Sequence, residues 1–91
     1  MRVQQALRDK LMGALAPSRL DIVDESRMHA GHAGARPEGE SHFRLTIVSE
    51  KFRGLTRLAR QRLVYAAVSE EMRRDVHALA LTTLTPEEDA G

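Results

Sequence analysis

One stretch, Ser41 to Thr82, limits the folds open to this chain more than any other. Between Ser41 and Ser49, Phe43, Leu45 and Ile47 alternate with His42, Arg44 and Thr46, the period of a half-buried strand. From about Leu55 to Arg74 the period changes. Gln61, Val64, Tyr65, Val68 and Met72 line one helical face, with Leu58 at its edge, while Arg57, Arg60, Arg62, Arg73 and Arg74 spread over the other sides. Gly54 and Thr56 leave room for a break near the start of this helix. Alternation returns in VHALALTTL, residues 76–84, where Leu79 and Leu81 share a face with His77 and the small Ala78 and Ala80 take the other. A strand, a helix and a second strand joined in this way form a crossover unit whose strands run parallel. The rest of the chain has to cover and extend that pair.

The preceding residues supply both. From Arg2 to Leu15, Val3, Ala6, Leu7, Leu11, Ala14 and Leu15 recur at helical spacing, and Pro17 closes the helix. Leu20 and Ile22 alternate with Asp21 and Val23, so a short strand is predicted from Leu20 to about Glu25. It can pair antiparallel with the strand that starts at Ser41. Residues 26–40, SRMHAGHAGARPEGE, separate the two and are expected to be the most mobile internal segment. The order is α-β-β-α-β in a single α+β domain, residues 1–91. A three-stranded mixed sheet carries its helices on one face, with the second strand central. Phe43, Leu45, Ile47, Val64, Val68, Leu79 and Leu81 are the expected shared core. Residues 85–91 read as a polar tail in which Thr85, Pro86 and Glu88 start a helical turn with nothing apolar to anchor it.

Composition narrows the chemistry. The 91 residues contain no cysteine, which removes disulfides, thiolate metal sites and cysteine nucleophiles, and suits a reducing compartment. No apolar run approaches the ~20 residues of a membrane span, and the charged N-terminus lacks a signal-peptide core. The expectation is a cytoplasmic protein with no membrane role. Phe43, Phe52 and Tyr65 are the only aromatics, few for stacking on single-stranded bases. Net charge is +1, so affinity for nucleic acid has to come from local clustering. Lys51, Arg53, Arg57, Arg60 and Arg62 form such a cluster, with no acidic residue between 51 and 62. At a turn and helix start it can meet phosphates or simply form a solvated face. A G-x-x-G clamp for nucleic acid is missing, since Gly54 is followed by Leu55, Thr56 and Arg57.

The four histidines, His29, His32, His42 and His77, lack the H-x-x-x-H spacing of zinc hydrolases. Spacing alone leaves them open to two readings, as polar loop and surface residues or as imidazole ligands for iron or zinc. Asp24, Glu25, Ser26 and His29 resemble a hydrolytic set but lack a nucleophile elbow. Ser26 is more simply a strand-end residue making local turn bonds. No enzymatic activity is expected.

Together these pieces resemble the BolA family. The resemblance rests on Asp24-Glu25-Ser26, His29, Gly31-His32, Ser41-His42-Phe43, Ile47-Val48-Ser49, Phe52, Gly54, Arg60, Arg62, Tyr65 and Glu70-Glu71. It continues through Val76-His77-Ala78-Leu79-Ala80-Leu81 to Thr85-Pro86, and so covers residues from about 3 to 88. It implies a fold like class II KH domains and partnership with a monothiol glutaredoxin in iron–sulfur cluster trafficking or iron and redox regulation. In such a heterodimer a [2Fe–2S] cluster is shared with the glutaredoxin cysteine and glutathione; the chain alone would carry no cofactor. The family's C-terminal-strand histidine corresponds to His77 and its loop histidine to His32. These are the expected ligands, with His42 and His29 behind them. Histidine in place of cysteine raises a cluster's potential and makes it sensitive to pH. Gln61 stands where many members carry a histidine between two arginines. The resemblance also implies, as the alternative, DNA-binding transcriptional regulation in stress response and cell morphology through residues 51–72. It leaves room for weak self-association.

Overall fold

In a computed structural model the chain is described over residues 2–26 and 41–91. His29, His32 and all of the expected mobile segment except Ser26 lie outside the described residues.

Helix α1 (Arg2–Leu15) buries Val3, Leu7, Leu11 and Leu15, one on each successive turn of a single face. The stripe is narrower than the sequence suggests, because Ala14 is exposed; its carbonyl instead accepts a hydrogen bond from Lys51 Nζ at 2.9 Å. The helix ends as expected. Ala16 enters the left-handed region at φ +43°, its amide donates to the Met12 carbonyl at 3.1 Å, and Pro17 prevents continuation.

Strands β1 (Arg19–Asp24), β2 (His42–Val48) and β3 (Ala78–Leu84) form one sheet in the order β1-β2-β3. β1 runs antiparallel to β2, with Leu20 opposite Ile47 and Asp24 opposite Phe43. β3 runs parallel to β2, with His42 beside Ala78 and Leu45 beside Leu81. Phe43, Leu45 and Ile47 are buried on the face that receives the helices. Leu20, Ile22, Leu79 and Leu81 pack against them half-buried, while Val23 and Arg44 face outward.

The connection out of β2 is pinned at Ser49. Its hydroxyl donates to the Leu15 carbonyl at 2.7 Å and accepts from the Lys51 amide at 3.1 Å, so the same buried group closes α1 and starts a 3-10 turn (Glu50–Phe52). Phe52 fills the core beneath that turn, and Gly54 takes φ +79°, a conformation that favours glycine. Thr56 caps the next helix, its Oγ1 accepting from the Ala59 amide at 3.1 Å.

The sequence predicts one helix to Arg74; the structure has two. α2 (Arg57–Ala67) and α3 (Ser69–Arg74) are separated at Val68, which leaves helical geometry at φ −113°, ψ 24°. The buried stripe is also rotated from the expected one. Val64, Ala67, Val68, Glu71 and Met72 face the interior, while Tyr65 and Leu58 are 39% and 56% exposed. Glu71 is not part of the stripe read from the sequence. It is 3% exposed, and its carboxylate accepts from Lys10 Nζ on α1 at 3.1 Å. Pairing is what makes a buried carboxylate tolerable. Hydrogen bonds to Glu71 and then Glu70 hold the Lys10 ammonium above its ordinary pKa.

Leu45 is fully buried at the centre of the middle strand, whereas Leu79 is only half-covered. Leu45→Ala should therefore cost about 2–5 kcal/mol, and Leu79→Ala measurably less. Equilibrium urea unfolding of the two variants checks the ranking.

Candidate functional site

Three strand ends meet at one end of the sheet. β1 finishes there at Asp24, and β2 and β3 begin there side by side at His42 and Ala78. The segment 27–40 leaves this end after Ser26 and returns to it at Ser41.

Two histidines sit at this end. His42 is the first residue of β2 and is buried, at 6% exposure. His77 precedes β3 and is exposed, one residue outside the strand the sequence assigns it to. Their ring centroids are 5.1 Å apart with the planes tilted by 49°. The backbone of His77 is fixed from below. The Ser41 carbonyl accepts from the His77 amide at 2.7 Å and from the Ala78 amide at 3.2 Å.

Ser26 ties the same end together. Its buried hydroxyl oxygen accepts from the amides of Ser41 at 2.8 Å and His42 at 3.2 Å. The hydroxyls of Ser26 and Ser41 lie 3.3 Å apart, and Ser41 Oγ is 2.9 Å from His42 Nδ1. The expected local turn bond is present too, the Ser26 amide donating to Asp24 Oδ1 at 2.9 Å. Periodicity does not reveal the longer reach of Ser26. The available signal is a pair of small hydroxyl residues placed just beyond two strand ends. Arg44 Nε donates to Glu25 Oε2 at 2.9 Å on the outer face.

Of the expected ligands, the structure therefore brings His77 together with His42. Among the described residues, no group of three or more His, Cys, Asp or Glu is gathered as a metal site. Any metal held by these imidazoles needs ligands from elsewhere.

The basic cluster is divided. Arg60 turns inward: its Nε donates to the Leu55 carbonyl at 3.1 Å and its Nη1 to the Thr83 carbonyl at 3.0 Å, with the guanidinium 5.9 Å from the Phe52 ring centre. It also pairs with Glu88. Arg53 pairs with Glu50 and Glu87, and Lys51 is held by Ala14. Arg57 and Arg62 remain exposed on α2. Apart from Glu50, the acidic partners lie far along the chain, on the short helix α4 (Pro86–Ala90), which the sequence read as an unanchored turn. Thr85 and Glu88 form a capping box at its start, and Asp89 pairs with Arg19 at 2.8 Å. Ion pairs thus anchor a helix that has no fully buried residue. The hydrogen bond from Arg60, followed by that from the Thr85 amide, lowers the Glu88 carboxyl from 4.5 to about 2.

No helix among the described residues is long and apolar enough to cross a membrane. Residues 11–88 match the family described as BolA-like protein. BolA-like protein 1 of Bos taurus is 49% identical over 84 residues, covering 92% of this chain and 59% of the relative, so the chain spans about three-fifths of that protein's length. The DNA-binding transcriptional regulator BolA of Escherichia coli is 41% identical over 91 residues, covering 100% of this chain and 83% of the relative. The solved BolA domain of SufE1 from Arabidopsis thaliana superposes with a TM-score of 0.83 at 39% identity, covering 96% of this chain and 94% of that one.

Glu88 gives a pH signature. Its pKa is lower folded than unfolded, so its pairing stabilises the chain fully above about 4.5 and that contribution disappears as pH falls to about 2. Urea unfolding across this window should show a shallower acid loss for Glu88→Gln than for the wild type. Glutamine keeps the capping box, so the difference reports the charge.

Proposed function

This chain belongs to the BolA-like protein family, and from that premise we propose that it is a non-enzymatic adaptor that docks on a monothiol glutaredoxin and shares a [2Fe–2S] cluster with it. The observation that carries this reading is the His42–His77 pair, 5.1 Å between ring centres, at the end of the sheet where the His32-bearing segment leaves and returns. The donor set fits. The chain has no cysteine, so thiolates have to come from the partner and glutathione, while exposed His77 offers an imidazole on a fixed backbone. When bound, the cluster supplies redox capacity and a transferable iron–sulfur unit. The protein's own part is to present the imidazoles. His77 is the better organised ligand, because the Ser41 carbonyl sets its amide, and His32 supplies the second. His42 stands by as the substitute.

A second reading rests on the Escherichia coli relative's name and on the exposed Arg57 and Arg62: binding of the DNA backbone by α2. Internal pairing of Arg53 and Arg60 leaves that surface weakly basic, so the adaptor reading is preferred.

Co-expression with a monothiol glutaredoxin should yield a coloured heterodimer with visible circular dichroism. His77→Ala should abolish or reshape that spectrum without changing the fold, and His32→Ala should weaken it. An unchanged spectrum from the His32→Ala, His77→Ala double variant would rule out this ligation. For the second reading, DNA titrated at rising salt should lose affinity log-linearly, with a smaller slope for an Arg57→Gln, Arg62→Gln variant. Absence of binding at low salt removes it.

A further inference from the structure

The bonding at Ser26 assigns a role to a residue that the ligation scheme leaves aside. Ser26 Oγ accepts from two backbone amides, Ser41 at 2.8 Å and His42 at 3.2 Å, which occupies both of its lone pairs. Its own proton is left to serve the remaining contact, the Ser41 hydroxyl at 3.3 Å. A chain from Ser26 Oγ through Ser41 Oγ to His42 Nδ1, 2.9 Å further on, gives each of these hydroxyl protons an acceptor. In that chain Nδ1 is the acceptor, and a neutral ring with an accepting Nδ1 carries its proton on Nε2. Both serines are buried, at 3% and 1% exposure, so water does not compete for these protons.

We infer that Ser26 is a positioning residue that holds His42 in its Nε2-protonated form and, through the Ser41 peptide, sets the backbone of His77. One hydroxyl fixes the amide side of residues 41 and 42. The carbonyl of Ser41 in turn receives the amides of His77 and Ala78. The two histidines are thus set by one buried oxygen and given different roles. His42 presents a protonated Nε2, so it serves as the substitute ligand through that nitrogen only after the Ser41 hydroxyl turns away from Nδ1. His77 has no such constraint from the relay. This deepens the adaptor reading and rests on it for its functional meaning, since it explains why His77 rather than its neighbour is the ligand.

The test uses the isolated chain and involves no cluster. Long-range proton–nitrogen correlation spectra, in mildly alkaline buffer so that neutral rings are observed, distinguish a protonated ring nitrogen from a bare one. The wild type should show His42 with the proton on Nε2. Ser26→Ala should erase that preference and shift the His77 amide resonance, and Ser26→Thr, which restores a hydroxyl, should recover both. Ser41→Ala should erase the tautomer preference while keeping the His77 amide bond to the residue 41 carbonyl. A wild-type His42 protonated on Nδ1 overturns the inference even if Ser26→Ala fails to fold. So does a folded Ser26→Ala protein with both signals unchanged. The heterodimer's visible spectrum tests the adaptor reading separately, and either result can fail while the other stands.

Discussion

Every other element takes its position from β2. Among the described residues it is the one strand with a neighbour on each side, antiparallel on one and parallel on the other. Its inward side chains, Phe43, Leu45 and Ile47, form the floor on which the helices rest. Both of its ends are held by buried serines. Ser49 binds the last turn of α1, and Ser41, held by Ser26, receives the start of β3. Backbone groups at a strand end have no ladder partner, and burial makes an unpaired group costly. The serine hydroxyls meet that requirement at both ends. At one of them, they also set the histidine pair.

The fold was legible because its signals are local. The alternation at 42–48 and 78–84 and the stripe of Val3, Leu7, Leu11 and Leu15 are each carried by side chains within one element, and the structure keeps them all. The departures arise where a distant partner reverses a local preference. Glu71 is buried because Lys10 reaches it from another helix, and the stripe rotates away from Tyr65 to bring it inside. The residues after β3 are held as α4 by arginines from three separate parts of the chain, Arg19, Arg53 and Arg60, which pair with its carboxylates. Hydrophobic periodicity carries no information about either.

The candidate site was legible in part, for the same reason. His77 was singled out by the family resemblance and read as part of the last strand, and the structure places it one residue before that strand. Its pairing with His42 depends on parallel register, which puts the first residue of β2 beside Ala78. The basic cluster shows the opposite case. Five cations close together in sequence are divided in space: Arg60 serves as an internal strut and Arg53 is neutralised, which leaves Arg57 and Arg62 outward.

The connectivity of the sheet also bears on how the chain reaches this structure. Neither strand pair is joined by a tight turn. β1 and β2 are linked through residues 25–41, and β2 and β3 through α2 and α3. Among the described residues no short hairpin joins neighbouring strands, and each ladder requires closure over a long stretch of chain before its first hydrogen bonds form. Such non-local pairing places the chain with the slower-folding mixed α/β domains rather than with fast helical bundles. The end of the sheet that holds the histidines is complete only when both ladders have closed.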